Sequence, residues 1–118
     1  MPFTFGKDEK LKSRKRIAQL FDEGETVVKF PIKVFYLPLE NSEVSQATFA
    51  VPKRSFKSAV ARNRIKRQLR EAYRLQKEVL EKENGKHFTL LFLYLSKDKP
   101  QYSKLSSSMA VLLKKISE

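Results

Sequence analysis

The chain has 118 residues, 41% apolar and 32% charged, with 25 Lys and Arg against 13 Asp and Glu, a formal net charge of +12 at neutral pH. That length supports one domain with a single modest core. The sequence holds no apolar run of about 18 residues and no apolar h-region in its N-terminal MPFTFGKDEK, so neither a transmembrane helix nor a secretory signal is expected, and the lack of cysteine excludes disulfides, thiol catalysis and cysteine-based metal sites.

Residues 1–10 mix Phe3, Phe5 and Gly6 with charges and show no periodicity, so a partly ordered lead-in is expected. Ser13 suits an N-cap, Ile17, Leu20 and Phe21 recur at helical spacing, and Gly24 suits the position past the last turn, which predicts a helix over Arg14–Glu23. Its first turn carries Arg14, Lys15 and Arg16, where the macrodipole disfavours each by roughly a few tenths of a kcal/mol. Contact with an anion and coincidence both account for them. Residues 26–30 and Ile32–Leu39 are β-rich and separated by Pro31, which marks an edge, a bulge or a corner. In the second run Ile32, Val34 and Tyr36 define a core face, alternating with Lys33, Phe35 and Leu37.

A polar loop at 40–45 leads to a short strand at 47–51, ended by Pro52. A long helix is expected from Ser58 or Ala59 to Glu83, stopped by Asn84 and Gly85. The run FTLLFLYL at 88–95 is continuously apolar and reads as the most buried strand. A turn around Pro100 precedes a closing amphipathic helix from Ser103, built on Leu105, Met109, Leu112, Leu113 and Ile116. The order is αβββαβα, an α+β two-layer sandwich in one domain over residues 1–118. By base rate, a β-helix-β crossover between parallel neighbours is right-handed.

Charge is concentrated in the long helix. Residues 57–77 hold eight cations against Glu71, +7 of the whole +12. Ile65, Leu69, Ala72, Gln76 and Val79 form its apolar stripe, and Asn63, Lys66, Arg67, Arg70, Arg74 and Lys77 fall within an arc of about 100° on the far side. Stacked like charges at i, i+4 repel, with Glu71 almost the sole relief, so the arc reads as an anion-binding face rather than a solvated one. Arginine outnumbers lysine there, favouring forked contacts to phosphates or guanine edges. Nucleic acid is the expected partner. A membrane fits less well, because the apolar stripe lacks Trp and Phe.

Material for protein catalysis is poor. His87 is the single histidine, no HExxH, GxSxG or Gly-rich phosphate loop occurs, and Glu78, Glu81 and Glu83 read as a solvated helix end. No catalytic or metal-ligating residue is expected in the protein itself. Phe21 and Phe35 are readable either as core or as a platform for unpaired bases. Phe35 shares its strand face with Lys33, away from Ile32 and Val34, as in single-stranded RNA binders.

The segment AVARNRIKRQLREAYR resembles the signature of the bacterial ribonuclease P protein family, with Arg62-Asn63-Arg64, Ile65, Lys66-Arg67, Leu69, Arg70 and Tyr73 in its pattern. LKSRKRIAQLFDEG at residues 11–24 is similar to the family's first helix, with Phe21 and Gly24 in place, and the likeness runs over roughly residues 11 to 117. Two departures stand out. The entry to the long helix, Lys53-Arg54-Ser55-Phe56-Lys57, is one residue longer and lacks a glycine, and Ile17 stands where the family often has an aromatic.

The resemblance implies a subunit of a ribonucleoprotein endonuclease that removes the 5′ leader of precursor tRNA. The RNA, with Mg²⁺ bound mainly through it, would carry the chemistry. The implied partners are that catalytic RNA and precursor tRNA, with no membrane and no obligate protein partner, in the cytoplasm. The fold implied has a four-stranded sheet with a left-handed β-α-β crossover, against the base rate. Carried over by residue, Arg62, Asn63, Arg64, Lys66, Arg67, Arg70 and Arg74 would bind RNA, and Phe21, Lys33, Phe35 and Lys53 would line a leader cleft. Without an enzymatic partner, a ribosomal or other structured-RNA-binding role is the alternative; a DNA-binding helix-turn-helix lacks its second helix. Self-repulsion at +12 predicts that sulfate raises the thermal midpoint of the free protein, and a midpoint indifferent to sulfate would refute it.

Overall fold

A computed structural model describes residues 5–6, 9–39, 44–82 and 87–118. Helix α1 (Arg14–Glu23) precedes strands β1 (Glu25–Lys29), β2 (Ile32–Leu39) and β3 (Gln46–Ala50). Helix α2 (Ala59–Gln76), a short α3 (Glu78–Lys82), strand β4 (His87–Tyr94) and helix α4 (Tyr102–Ser117) complete the chain. The expected order is therefore present, with the long helix divided in two. The stop expected at Asn84 and Gly85 lies outside the described residues.

The sheet runs β1-β2-β4-β3. β1 pairs antiparallel to β2, and β2 antiparallel to β4. β3 lies parallel to β4, so α2 and α3 connect parallel neighbours. Pro31 sits in the turn between β1 and β2, with a cis Phe30–Pro31 bond, and Ser108 of α4 donates from Oγ to the Phe30 carbonyl at 3.0 Å.

β4 is central, and its uninterrupted apolar run follows from having both faces covered. On one face Leu90, Phe92 and Tyr94 join Ile32 and Val34 of β2, Ile65, Leu69, Ala72 and Tyr73 of α2, and Leu105, Met109, Leu112 and Leu113 of α4. On the other, Leu91 packs with Leu11 and with Leu20 of α1, flanked by Ile17, Phe35, Leu37 and Leu93. The alternation read in β2 thus splits between two cores.

Helix α1 has the predicted bounds. Ser13 caps it by accepting from the Arg16 N–H at 3.3 Å, and the Gly24 N–H donates to the Leu20 carbonyl at 2.9 Å. Glycine is needed at 24 for space: at φ −66°, a Cβ there would lie 2.3 Å from the Leu20 oxygen.

The long helix departs from expectation at Lys77. That residue keeps αR geometry (φ −61°, ψ −21°), so the interruption is slight and hydrophobic periodicity passes over it. Gln76 Nε2 donates to the Ser106 carbonyl of α4 at 3.1 Å, and the Lys77 side chain is buried against Glu9. The inward apolar residue after the break is Leu80, 1% exposed, whereas Val79 is 38% exposed and not part of the stripe. Among the described residues no helix is long and apolar enough to cross a membrane. Leu69→Ala should lower stability by about 2–5 kcal/mol in urea unfolding, against less than about 0.5 kcal/mol for Val79→Ala.

Candidate nucleic-acid interface

Ser58 starts α2 by accepting from the Ala61 N–H at 3.2 Å, and no acid occupies the first turn. With Ile65, Leu69, Ala72 and Tyr73 fixed inward, the helical repeat places Asn63, Lys66, Arg67 and Arg70 on one outward strip. These four side chains line one side of an open groove of about 420 Å³. Phe5, Lys10, Leu11 and Lys12 of the N-terminal segment and Ala47, Thr48 and Phe49 of β3 line the rest of it. Among the described residues, five cations and no carboxylate line this groove.

The other expected RNA-binding residues lie elsewhere. Arg64, about 100° around the helix from Asn63, lines a separate hollow with Val60, Gln68, Lys99 and Pro100. Arg62 is half-buried, and its Nη1 donates to the carbonyls of Phe56 at 2.7 Å and Lys57 at 2.9 Å, fastening the segment that enters α2. Arg74 donates from Nε to Glu71 Oε2 at 3.1 Å. That bond holds the Glu71 carboxyl below the usual carboxylate range, opposed by some burial and helped weakly by Arg70. Lys77, expected on the outward arc, is turned inward to Glu9. The structure therefore gathers Asn63, Lys66, Arg67 and Arg70, and gives Arg62, Arg74 and Lys77 contacts within the fold.

A second feature lies on the α1 side of the sheet. The rings of Phe21 and Phe35 are 4.9 Å apart at 60°, although Phe21 is 52% exposed. Lys33 Nζ stands over the Phe35 ring, 4.9 Å from its centroid. The strand register accounts for the cluster: Lys33 and Phe35 are two residues apart on β2, opposite Leu93 and Leu91 of β4. An exposed aromatic pair beside a cation on a sheet face is suited to stacking unpaired bases. Ile17 packs half-buried against the small core beneath and contributes no ring. Lys53 is exposed on the turn at 53–55, a different segment from this trio.

Sequence reading missed Phe5, Lys10 and Lys12 as groove residues. Their one local signal, a buried Leu11 between two lysines, is too short to read as a strand. His87 begins β4 opposite Leu39 and is half-buried. Among the described residues no group of three or more His, Asp or Glu could hold a metal ion.

The family model described as Ribonuclease P matches residues 5–117. The ribonuclease P protein component of Porphyromonas gingivalis is 37% identical over 115 residues, covering 92% of this chain and 84% of that protein. That of Chlorobium phaeobacteroides is 32% identical, covering 93% and 86%. In fold, the chain is similar to the RNase P protein of Thermotoga maritima, with a TM-score of 0.76 at 22% identity over 91% of this chain and 96% of that one. The Staphylococcus aureus RNase P protein gives 0.71 at 21% identity, over 90% and 93%. Matched over nearly its whole length by model and relatives, and carrying the Arg62-Asn63-Arg64 helix in a four-stranded α+β frame, the chain belongs to the ribonuclease P protein family.

Proposed function

We propose that this ribonuclease P protein component divides its work between two surfaces. The α2 groove docks on the catalytic RNA, and the cleft between α1 and the sheet holds the single-stranded 5′ leader of precursor tRNA. The observation that carries this reading is the separation of a cationic groove from an aromatic cleft within one sheet. The groove lies along β3 and the cleft on β2, with only β4 between them. Along the sheet, two strand spacings amount to about 10 Å, so one small domain can hold the RNA subunit and the leader at the same time.

In this reading the protein breaks no bond. Hydrolysis of the phosphodiester, which frees the leader and leaves a 5′ phosphate on the tRNA, belongs to the RNA, and Mg²⁺ is bound mainly through that RNA. The chain's own groups position. Lys66, Arg67 and Arg70 neutralise phosphates of the RNA subunit, with Asn63 beside them near the leader. Arg62 supports the same dock indirectly by holding residues 56–57, and Arg64 meets RNA from the neighbouring hollow. Phe21 and Phe35 stack leader bases, Lys33 binds a leader phosphate, and Lys53 extends the track. The cytoplasm is the compartment this role implies.

Added to a bacterial ribonuclease P RNA and precursor tRNA at low Mg²⁺, the protein is expected to stimulate 5′ cleavage. Absence of stimulation would favour a structured-RNA-binding role without an enzymatic partner. Arg67→Ala with Arg70→Ala should flatten the salt dependence of RNA affinity by about 0.7–0.9 per lost phosphate contact. Phe21→Ala or Phe35→Ala should weaken binding of leader-bearing precursor by about 1–3 kcal/mol per unstacked base, leaving leaderless tRNA and assembly with the RNA unaffected. The Glu71 carboxyl has a lowered pKa, so its pair with Arg74 persists above the ordinary carboxylate range and is lost as pH falls through the lowered value. Glu71→Gln removes that ion pair at all pH values, and the salt slope should steepen by about 0.7–0.9 if Arg74 then joins the interface.

A further inference from the structure

The described part of the N-terminal segment is strapped to the domain. Leu11 donates its N–H to the Ala47 carbonyl at 3.0 Å, and Lys10 bridges Ala47 in parallel sense, along β3. Phe5 sets its ring edge-on to Phe49 and Tyr73, with centroids 5.9 and 6.0 Å away. Between these anchors Glu9 forms an ion pair with Lys77, the two side chains only 13% and 10% exposed. The pair ties the strap to the break between α2 and α3, across 68 residues of sequence. Burying two charges incurs a desolvation penalty, so such a pair is weak evidence for stability by itself. Its geometric consequence is plain: residues 10–12 are held where Lys10 and Lys12 line the same groove as Lys66, Arg67 and Arg70.

We propose that the Glu9–Lys77 pair is a positioning lock that holds the strap as the second wall of the groove, and that this two-walled groove takes one sugar-phosphate strand of the partner RNA, with Lys10 and Lys12 on its phosphates. Cations on both α2 and the strap, with no carboxylate among the described lining residues, match a single polyanionic backbone passing between them. Leu11, buried between the two lysines, keeps the strap down while its neighbours project. The inference rests on the docking role of α2 proposed above and adds a second contact element and the device that sets it.

The test is holoenzyme assembly, read as the salt dependence of affinity for a bacterial ribonuclease P RNA. Lys10→Ala with Lys12→Ala should lower the slope by about 1.4, two single-strand phosphate contacts at about 0.7 each. Glu9→Gln separates the lock from simple charge balance. Removal of a carboxylate strengthens RNA binding by bulk electrostatics, whereas loss of the lock weakens binding and lowers the slope. The charge swap Glu9→Lys with Lys77→Glu should restore the wild-type slope at unchanged net charge, and thermal melts confirm which variants are folded. Should Glu9→Gln unfold, the swap decides: a wild-type slope supports the lock, and a lowered slope in a folded swap overturns it, as does a swap that fails to fold. Glu9→Gln binding as tightly as wild type, or a slope unmoved by loss of Lys10 and Lys12, also overturns the proposal. If Arg67→Ala with Arg70→Ala leaves the slope unmoved too, the docking role of α2 itself fails.

Discussion

The structure depends on one strand that water must not reach. β4 carries Phe88, Leu90, Leu91, Phe92 and Tyr94, all buried, and apolar side chains leave it on both faces. Each buried side chain of this size is worth about 1.5–3 kcal/mol relative to exposure, so both faces require a covering layer. Helices α2 and α4 supply one of them completely. Helix α1 supplies the other, and at 10 residues it is about 15 Å long, against about 26 Å for the eight-residue strands beneath it. The aromatic cleft lies beside this short cover: Phe35 and Lys33 lie on the face that α1 only partly shields, and Phe21 leans from the helix onto Phe35.

The same packing explains how a helix with eight cations in and around it stays folded. Its inward stripe is anchored by Leu69, Ala72 and Tyr73, none more than 1% exposed, and the hydrophobic gain outweighs repulsion on the outer surface, where solvent and salt screen it. Several of those cations also serve the fold. Arg62 closes the loop before the helix, Arg74 is held by Glu71, and Lys77 joins the strap through Glu9. The charge count therefore exceeds the number of side chains facing the groove.

Edge protection is a further consequence of the topology. β3 is an outer strand of the sheet, and an uncovered edge invites pairing with other chains. Lys10 and Leu11 lie along it, so the segment that shapes the groove also shields that edge. Stability and the binding surface are coupled there through the same few residues.

What the sequence by itself determined was local. Ser13 and Gly24 bounded α1, the alternation from Ile32 to Leu37 assigned the two faces of β2, and the charge arc with the Arg62-Asn63-Arg64 signature pointed to RNA. Each of these is written in residues within a few positions of one another, through capping, a period of two or a period of 3.6. Only the tertiary structure decided the strand order β1-β2-β4-β3, that Lys77 interrupts the long helix, and that Lys10 and Lys12 complete the groove. Those features come from contacts such as Gln76 with Ser106, 30 residues apart, and Glu9 with Lys77, 68 apart. A single chain leaves no periodic trace of such pairings, because their energy depends on where the packed core brings the partners and not on what lies beside them in sequence.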